Sequence, residues 1–410
     1  MKRLAKTTCL LLLLATAACR LQAQVEHDVF ATPHTLSAAD KGRLTLDIDN
    51  LSFFQNNEFK HMADGYSLPG LWLQPRLTYQ PLPNLKMEAG AHILYYSGAR
   101  RYPTAIYTAL PSLDEDEGSR SLHARPFFRV QLSGLSGKLN LILGNLYGGS
   151  SHRLVEPLYN PELNLTSDPE SGLQVLFQSR VFDADVWLDW KDFIFQDDNH
   201  RERFILALSS QFKLTPPDAA LHAYVPLQVV AQHLGGEIQE AEHHGVSSTA
   251  NAAAGIGVRW QARRRVLHEL WAEAHFLAYK QLSGDLLPRE DGTAWHATAG
   301  VNLAKGFSFK AGYQKSHGFI SLLGSPYFGS LAATDDHTLY DHAQLLYAKA
   351  QYTHRLSHVA SLGIDITLYQ HFSGHGLAPA TGELLPSQSS ASILAGIYLR
   401  VSPSLLLHRF

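Results

Sequence analysis

The chain has 410 residues, of which 45% are hydrophobic and 17% charged, and its formal net charge is −3 at pH 7. This mildly acidic balance argues against a nucleic-acid partner, which requires an excess of basic residues. After the leucine run Leu10–Leu14, no stretch of roughly eighteen apolar residues occurs, which argues against a membrane protein built from spanning helices.

The N-terminus has the features of a secretory signal peptide. Two basic residues precede an apolar run of about ten residues, and Ala23 stands before Gln24. We therefore predict a signal peptide over residues 1–23. The alanines before Cys19 partly resemble a lipidation motif, which keeps a lipidated N-terminus open as an alternative.

Both cysteines, Cys9 and Cys19, lie in this predicted signal, so the mature chain has no disulfide framework and no thiolate metal site. The signal also holds four of the 34 basic residues, which leaves 30 basic against 37 acidic side chains in the mature chain. Because no Pro-rich or Ser-rich linker divides the remainder, we predict a short periplasmic lead over 24–41 and one domain over 42–410.

Residues 139–192 show the pattern that decides the fold. Apolar side chains recur at every second position, as in Leu139, Leu141 and Leu143 and again in Val186, Leu188 and Trp190. A period of two places one set on each face of a strand. Short turns alternate with long loops between such arms, which is typical of a transmembrane β-barrel.

The same pattern continues along the whole chain, from an arm at 43–49, followed by a loop rich in Asn and Gly, to an arm at 391–401. It predicts an all-β fold: an antiparallel transmembrane β-barrel of about 16 strands (14 to 18), with short periplasmic turns and long extracellular loops. A large soluble β-sandwich or propeller is the alternative. It explains the alternation but not the regular exchange of short and long links.

The last arm alternates through Ile393, Ile397 and Val401, and the chain ends at Phe410. Here the sequence resembles Gram-negative outer-membrane β-barrels of the porin-like kind, which commonly close with an alternating strand and a terminal Phe that the barrel-assembly machinery recognises. Pro403 departs from that pattern and leaves the end of the last strand undefined. The resemblance implies Sec export, the cell outer membrane, and contact with its lipid and lipopolysaccharide. The choice between a monomer and a homo-oligomer stays open.

If the apolar set faces lipid, the other set lines the lumen. A barrel of about 16 strands is too wide for side chains to fill, so we expect water inside and charged wall residues that orient a solute. Acids and bases are nearly balanced, which predicts only a modest charge preference. The pore-lining candidates are Arg76, Glu88, Arg129, Asp185, Asp189, Lys191, Glu269, Glu273, Lys310, Lys349 and Asp365.

Two loops are candidates for a constriction inside the barrel. Residues 318–342 are too apolar for a freely exposed loop. Residues 148–165 begin with two glycines, which permit a sharp return of the chain. The candidate side chains are Phe319, Tyr327, Phe328, His152, Arg153 and Glu156.

Histidine is common, with 22 in the chain, and several lie beside carboxylates in predicted outer loops. Imidazole and carboxylate together suit transition metals, but no spacing matches a defined site. We predict no metal centre and no cofactor. The weak metal candidates are His243, His244, His337 and His342.

The function favoured by the sequence is a porin-like channel for passive diffusion of small polar solutes. No nucleophile elbow, zinc-protease motif or phosphate loop is present, so we do not predict an enzyme. A closed barrel acting as an adhesin or structural surface protein is the first alternative. An outer-membrane hydrolase, with catalytic side chains at the barrel rim, is the second.

Overall fold

A computed structural model describes residues 24–97, 122–193, 201–235, 246–262, 264–334, 338–372, 374–378 and 381–410. The signal peptide predicted over 1–23 lies outside these residues. Sixteen strands, each antiparallel to its neighbours, close into one barrel. They are β1 (Arg43–Glu58), β2 (Tyr66–Leu82), β3 (Leu85–Tyr96), β4 (Leu122–Gly134), β5 (Leu139–Asn145), β6 (Ser171–Gln178), β7 (Phe182–Asp192), β8 (Arg203–Lys213), β9 (Leu221–Leu234), β10 (Ser247–Gln261), β11 (Leu267–Ser283), β12 (Asp291–Leu303), β13 (Phe307–His317), β14 (Gln344–Arg355), β15 (Ala360–Phe372) and β16 (Ser389–Val401).

The remaining elements are short. Three two-residue strands, Leu339–Tyr340, Gly376–Leu377 and Leu384–Leu385, form a small second sheet. The helical turns are Glu26–Phe30, Ala38–Asp40, Leu135–Gly137, Gly149–His152, Leu163–Thr166, Ala304–Gly306 and Pro326–Phe328. None of the helices in the described ranges is long and apolar enough to cross a membrane.

The links between strands confirm the predicted alternation of short and long. Seven links of two to seven residues lie at one end of the barrel, and eight links of 7 to 26 residues lie at the other. Short links are the periplasmic turns of such barrels and long links are their outer loops. The sixteen-stranded antiparallel barrel predicted from the sequence is therefore confirmed.

The barrel closes between β1 and β16, where Asn50 pairs with Val401. After Val401 the strand is interrupted at Pro403. It continues as Ser404–Arg409, which pairs with the first residues of β1. Proline has no N–H to donate, but the Pro403 carbonyl accepts a hydrogen bond from the Ile48 N–H at 3.0 Å. The proline therefore interrupts the last strand locally without ending its pairing with β1.

β1 is longer than the sequence pattern indicated, because it runs to Glu58 rather than ending near residue 49. In the half of β1 nearer the long loops, Leu51 and Phe53 point into the barrel, where both are buried. The outward positions there are mostly polar, so the apolar-out pattern is lost although the strand continues. The inward apolar residues have a partner that local sequence does not reveal, the N-terminal segment described below.

The two faces of the wall differ as predicted. On β7, Val186 and Trp190 point outward and are 40% and 37% exposed, whereas Trp187 and Asp189 point inward and are buried. Apolar side chains exposed in this way around the whole barrel form the belt that contacts lipid. The chain is therefore a transmembrane β-barrel with a largely polar interior.

Candidate functional site

The segment that precedes the barrel lies inside it. Val25 and Val29 are fully buried, and the ring of Phe30 packs edge-on against Tyr398 of β16 with centroids 4.9 Å apart. The first part of the segment 24–41, predicted as a short periplasmic lead, thus occupies the lumen. These apolar side chains leave water by packing against the inward apolar residues of β1, β2, β3 and β16.

Arg400 of the barrel wall binds this segment through hydrogen bonds. The Arg400 guanidinium on β16 donates to the backbone carbonyls of Val29, Phe30 and Ala31 at 2.7 to 3.1 Å. It also makes a two-point contact with the Asp49 carboxylate of β1, at 3.0 and 2.8 Å. Because the planar guanidinium presents several donors at fixed angles, one side chain joins both closing strands to the inserted chain.

A charge cluster lies at the middle of the lumen. Lys349 on β14 donates to Glu26 at 2.5 Å and lies 3.5 Å from Asp365 on β15. Lys310 on β13 donates to Glu156 at 2.8 Å. Wall residues predicted to line the pore thus meet one acid from the N-terminal segment and one from loop 146–170. The two lysines hold the pKa of Glu26 and the pKa of Glu156 below the ordinary value, although burial alone would raise both.

Loop 146–170 enters the lumen through the turn Gly149–His152. His152 is buried between two carboxylates, with Nδ1 at 2.7 Å from Asp185 and Nε2 at 2.7 Å from Glu170. Its ring stacks on Trp187 with centroids 3.6 Å apart. The sequence placed His152 and Asp185 separately at a constriction and in the lumen, and the structure brings them into contact. Arg153, its predicted neighbour at the constriction, is exposed.

The pKa values of His152 and Glu170 both differ from their ordinary values. Burial alone would lower the pKa of His152, but the charges and hydrogen bonds of Glu170 and Asp185 raise it to about 10. Burial would raise the pKa of Glu170, yet the His152 imidazolium lowers it to about 2. His152 is therefore a buried cation that anchors loop 146–170 to β7.

This ion pair predicts a pH dependence of stability. The raised pKa of His152 contributes stability that is fully present below its ordinary 6.5 and is lost as the pH rises toward about 10. The lowered pKa of Glu170 contributes stability that is lost as the pH falls from 4.5 toward about 2. We expect the free energy of unfolding in lipid vesicles to fall on the alkaline side, and to fall less steeply for His152→Gln. An unchanged alkaline slope in that variant, with the exposed His358→Gln as control, would contradict this assignment.

Loop 318–334 packs into the lumen from the outer end. Phe319 is fully buried, and the Asn251 side chain of β10 donates to the Ile320 carbonyl and accepts from the Leu322 N–H, both at 2.8 Å. The Ser321 hydroxyl donates to the carbonyl of Pro157 at 2.6 Å, which joins this loop to loop 146–170. The apolar side chains therefore serve loop packing inside the barrel rather than an exposed surface.

The other two aromatic residues predicted at the constriction lie in the same loop. The Tyr327 hydroxyl contacts the Ser392 hydroxyl of β16 at 2.6 Å and accepts from the Lys60 N–H at 2.9 Å. Phe328 packs edge-on against Tyr347 of β14 with centroids 5.3 Å apart. Together with Phe319 they narrow the outer half of the lumen.

A polar pocket remains where the inserted segments meet. Three acids line it, Glu156, Glu162 and Asp365, together with the single base Lys349. The rest of its lining comes from β1, β15, β16, the N-terminal segment and both loops. It is the place in the described lumen where charged groups of wall and loop face one shared space.

Glu162 is the acid that the sequence did not single out. It is buried, and its carboxylate accepts hydrogen bonds from the Tyr66 hydroxyl and the Gln55 amide. These two donors are neutral and lower its pKa, but burial outweighs them and raises the pKa to about 7. Glu162 therefore changes charge near neutral pH while it faces the pocket.

The remaining predicted lumen charges lie inward and pair with neighbours along the wall. Glu88 lies 3.2 Å from Arg129 and 3.6 Å from Arg76, on the adjacent strands β4 and β2. Asp189 lies 2.6 Å from Lys191 on the same strand β7. These contacts neutralise charge within the wall.

Two acids on β11 complete the predicted set. Glu269 accepts a hydrogen bond from Asn302 at 3.0 Å and lies 3.4 Å from Arg259. Glu273 accepts from the Tyr224 hydroxyl. Glu269 therefore contacts both neighbouring strands, and Glu273 reaches across β10 to β9.

The structure shows a histidine–carboxylate pair at the outer mouth that the sequence did not predict. The Nε2 atom of His123 on β4 lies 3.0 Å from Asp168, whose other oxygen accepts from Arg125 Nε at 3.2 Å. Burial would raise the pKa of Asp168, but its hydrogen bond to His123 and the nearby positive charges hold it below the ordinary value. No spacing in the sequence could reveal this pair, because 45 residues separate the two partners.

The weak metal candidates divide into two groups. His243, His244 and His337 lie outside the described residues. His342 lies at the outer rim, on the outside of the wall, where Asp341 and His317 offer ligand atoms within 4.8 Å of one another. The sequence did not select His317 because only the register of β13 against β14 brings it opposite His342.

Solved outer-membrane barrels resemble this chain at low identity. OccAB3 of Acinetobacter baumannii is 10% identical with a TM-score of 0.49, covering 88% of this chain and 99% of that one. OprD of Pseudomonas aeruginosa is 10% identical with a TM-score of 0.48, covering 92% and 99%. OprB of Pseudomonas putida, in a high-pH structure, is 10% identical with a TM-score of 0.48, covering 88% and 94%. No curated protein matches the chain.

A family model gives the stronger result, because it spans the whole barrel. The model described as lipid A 3'-O-deacylase-type matches residues 36–410. A closed barrel with a lipid-facing apolar belt, short turns at one end and long loops at the other is a porin-like barrel of the outer membrane. The chain belongs to the lipid A 3'-O-deacylase-type family.

Proposed function

We propose that this protein is a narrow channel through which small polar solutes cross the outer membrane, with its lumen restricted by the N-terminal segment and two loops. The lining of this pocket carries the proposal, since charged groups of wall and loops face a common polar space there. Charged side chains around a constriction act on a passing solute at short range and set its charge preference.

The inserted chain limits the width of the passage. Glu26 reaches Lys349 from the N-terminal segment, and Glu156 reaches Lys310 from loop 146–170, so both are fixed across the middle of the lumen. A passage of this kind favours a small conductance over free diffusion of large hydrated solutes. The excess of acids around the pocket favours cations.

Single-channel recording tests the proposal. We expect residues 24–410, refolded into a planar bilayer, to give small, stable openings with a weak cation preference. Removal of residues 24–30 is expected to increase the conductance several-fold, because it removes the chain that packs against β1, β2, β3 and β16 inside the lumen. Glu58→Gln, at an exposed rim position, serves as the control and should leave the conductance unchanged.

The pH supplies a second readout in the same recordings. Because the pKa of Glu162 is raised to about 7, its carboxyl is neutral below that pH and charged above it. We expect the cation preference to increase as the pH rises through about 7, and Glu162→Gln to abolish the increase. If neither the folded native barrel nor the shortened chain gives channel openings, the channel proposal is overturned.

The family match favours a second candidate function, removal of an acyl chain from lipid A. The reaction would be ester hydrolysis, in which water adds to the acyl carbonyl and the sugar hydroxyl leaves. His123 has the partner that a general base needs, since Asp168 lies 3.0 Å from its Nε2. Arg125 is largely exposed beside them and could hold an anionic group of the substrate.

Mass spectrometry of lipid A separates the two candidates. Cells that produce the native protein should lose one acyl chain from lipid A, and cells with His123→Gln should retain it, with the exposed His358→Gln as control. Unmodified lipid A in all strains would exclude the deacylase function and leave the channel as the favoured function. If neither conductance nor deacylation occurs, the closed barrel acting as a surface-binding or structural protein becomes the favoured function.

A further inference from the structure

The outer ends of β13 and β14 carry a second group of side chains that can bind a ligand, away from the lumen. Lys315 pairs with Gln344, and the Ser316 N–H donates to the Ala343 carbonyl at 2.8 Å. Continuing this register by one residue on each strand places His317 opposite His342. Gly318 follows in the left-handed conformation (φ +63°), so the chain turns away directly after His317.

The two imidazoles lie on the outer face of the wall. Positions 307, 309, 311, 313, 315 and 317 of β13 are all exposed, whereas the inward set carries Lys310, Gln314 and Ser316. Tyr313 of the exposed set donates from its hydroxyl to Gln344 at 2.7 Å. A tyrosine at the end of a lipid-facing strand marks the headgroup level, so the histidine pair lies just beyond the outer leaflet surface.

The geometry of the pair matches that of two ligands on one tetrahedral metal ion. The rings are stacked with centroids 4.9 Å apart, and the two Nδ1 atoms are separated by 3.4 Å. Zinc–nitrogen bonds of about 2.0–2.1 Å at tetrahedral angles place two nitrogen ligands about 3.3–3.4 Å apart. The two nitrogens are therefore separated by the distance expected for two ligands of one cation.

A carboxylate completes the group. One ligand atom each of Asp341, His317 and His342 lies within 4.8 Å of the other two, and the Asp341 oxygen nearest the His342 ring is Oδ2. Arg289 Nη2 donates to the other oxygen, Oδ1, at 2.8 Å. Because Arg289 occupies only one oxygen, it orients the carboxylate and leaves Oδ2 available as a ligand.

We propose that His317, Asp341 and His342 form a binding site for a divalent transition-metal ion, with zinc the best match, on the outer rim of the barrel. Two imidazoles and one carboxylate are three protein ligands, which leaves the fourth position of a tetrahedral site for water. The site is separate from the lumen pocket and from the His123–Asp168 pair. It therefore depends on neither function proposed above.

Cobalt spectroscopy and zinc calorimetry on the full mature barrel, refolded in detergent micelles, test the site. Titration with Co²⁺ should produce the visible absorption of a tetrahedral cobalt complex, and Zn²⁺ should displace it. His317→Gln and His342→Gln should each abolish the absorption. Asp341→Asn replaces a charged ligand by a neutral one and should weaken zinc binding by at least the roughly tenfold loss that follows removal of an outer-shell partner.

Two controls keep the result specific. His354→Gln/His358→Gln removes two exposed histidines from the opposite end of the barrel, and His243→Gln/His244→Gln removes the pair that the sequence suggested. Both variants should retain the cobalt spectrum. Heat-modifiable migration in gels confirms that every variant is folded. Absence of the spectrum from the native protein, or its persistence in His317→Gln, would overturn the proposal.

Discussion

Replacement of Arg400 by glutamine is expected to lower the free energy of unfolding by about 3–5 kcal/mol, the typical loss when one partner of a buried ion pair is removed. The guanidinium is 9% exposed and makes its two-point contact with Asp49 at the seam between β1 and β16. The shorter amide cannot replace that contact, so the Asp49 carboxylate is left buried beside Ser402 and the more distant Arg76.

The same substitution should release the N-terminal segment. Three backbone carbonyls of residues 29–31 lose their donor, and a buried carbonyl without a partner costs about 1–3 kcal/mol. We therefore expect faster proteolysis near residue 30 and a larger single-channel conductance than in the native protein. Arg400→Lys should be nearly as damaging, because an ammonium group cannot present the planar set of donors.

Denaturant titration in lipid vesicles measures this effect. Arg355→Gln, at an exposed position near the same end of the barrel, is the matched control and should change stability by less than about 0.5 kcal/mol. The double variant Asp49→Asn/Arg400→Gln should recover part of the loss, since no charge is then left unpaired. A loss below about 1 kcal/mol for Arg400→Gln would show that the contact contributes no more than a surface ion pair.

Arginine at Leu188 is expected to destabilise the barrel by roughly 2–4 kcal/mol, the depth-dependent cost of a basic residue on the lipid face near mid-membrane. Leu188 lies in the middle of β7, between the exposed positions Val186 and Trp190. Leu141 on β5 belongs to the same outward belt, is 37% exposed, and should behave similarly.

The control for this prediction lies on the inner face. Thr298 of β12 points into the lumen, where its hydroxyl donates to the Ala311 carbonyl at 3.2 Å. Thr298→Arg places the same side chain in a polar interior, so we expect less than half of the loss found for Leu188→Arg. Refolding yield and denaturant midpoints in vesicles report both variants. Equal losses at the two positions would contradict the assignment of the faces.

The sequence by itself determined the wall of the barrel. Alternation of the kind seen in Leu139, Leu141 and Leu143 predicts the strand, its lipid-facing side and its inward side, because a period of two is a local property of extended chain. The exchange of short and long links likewise predicts an even-stranded barrel with both chain ends on one side. On β7, for example, the inward positions Asp185 and Asp189 are buried.

The contents of the barrel were decided by tertiary structure. Asp49 and Arg400 are 351 residues apart, and Glu26 and Lys349 are 323 residues apart, so neither pair exists until the sheet has closed. For the same reason local pattern could not show that Val25 and Val29 enter the lumen or that Glu162 faces the pocket. The pairing of His317 with His342 follows from strand register, which depends on how two distant segments align rather than on either alone.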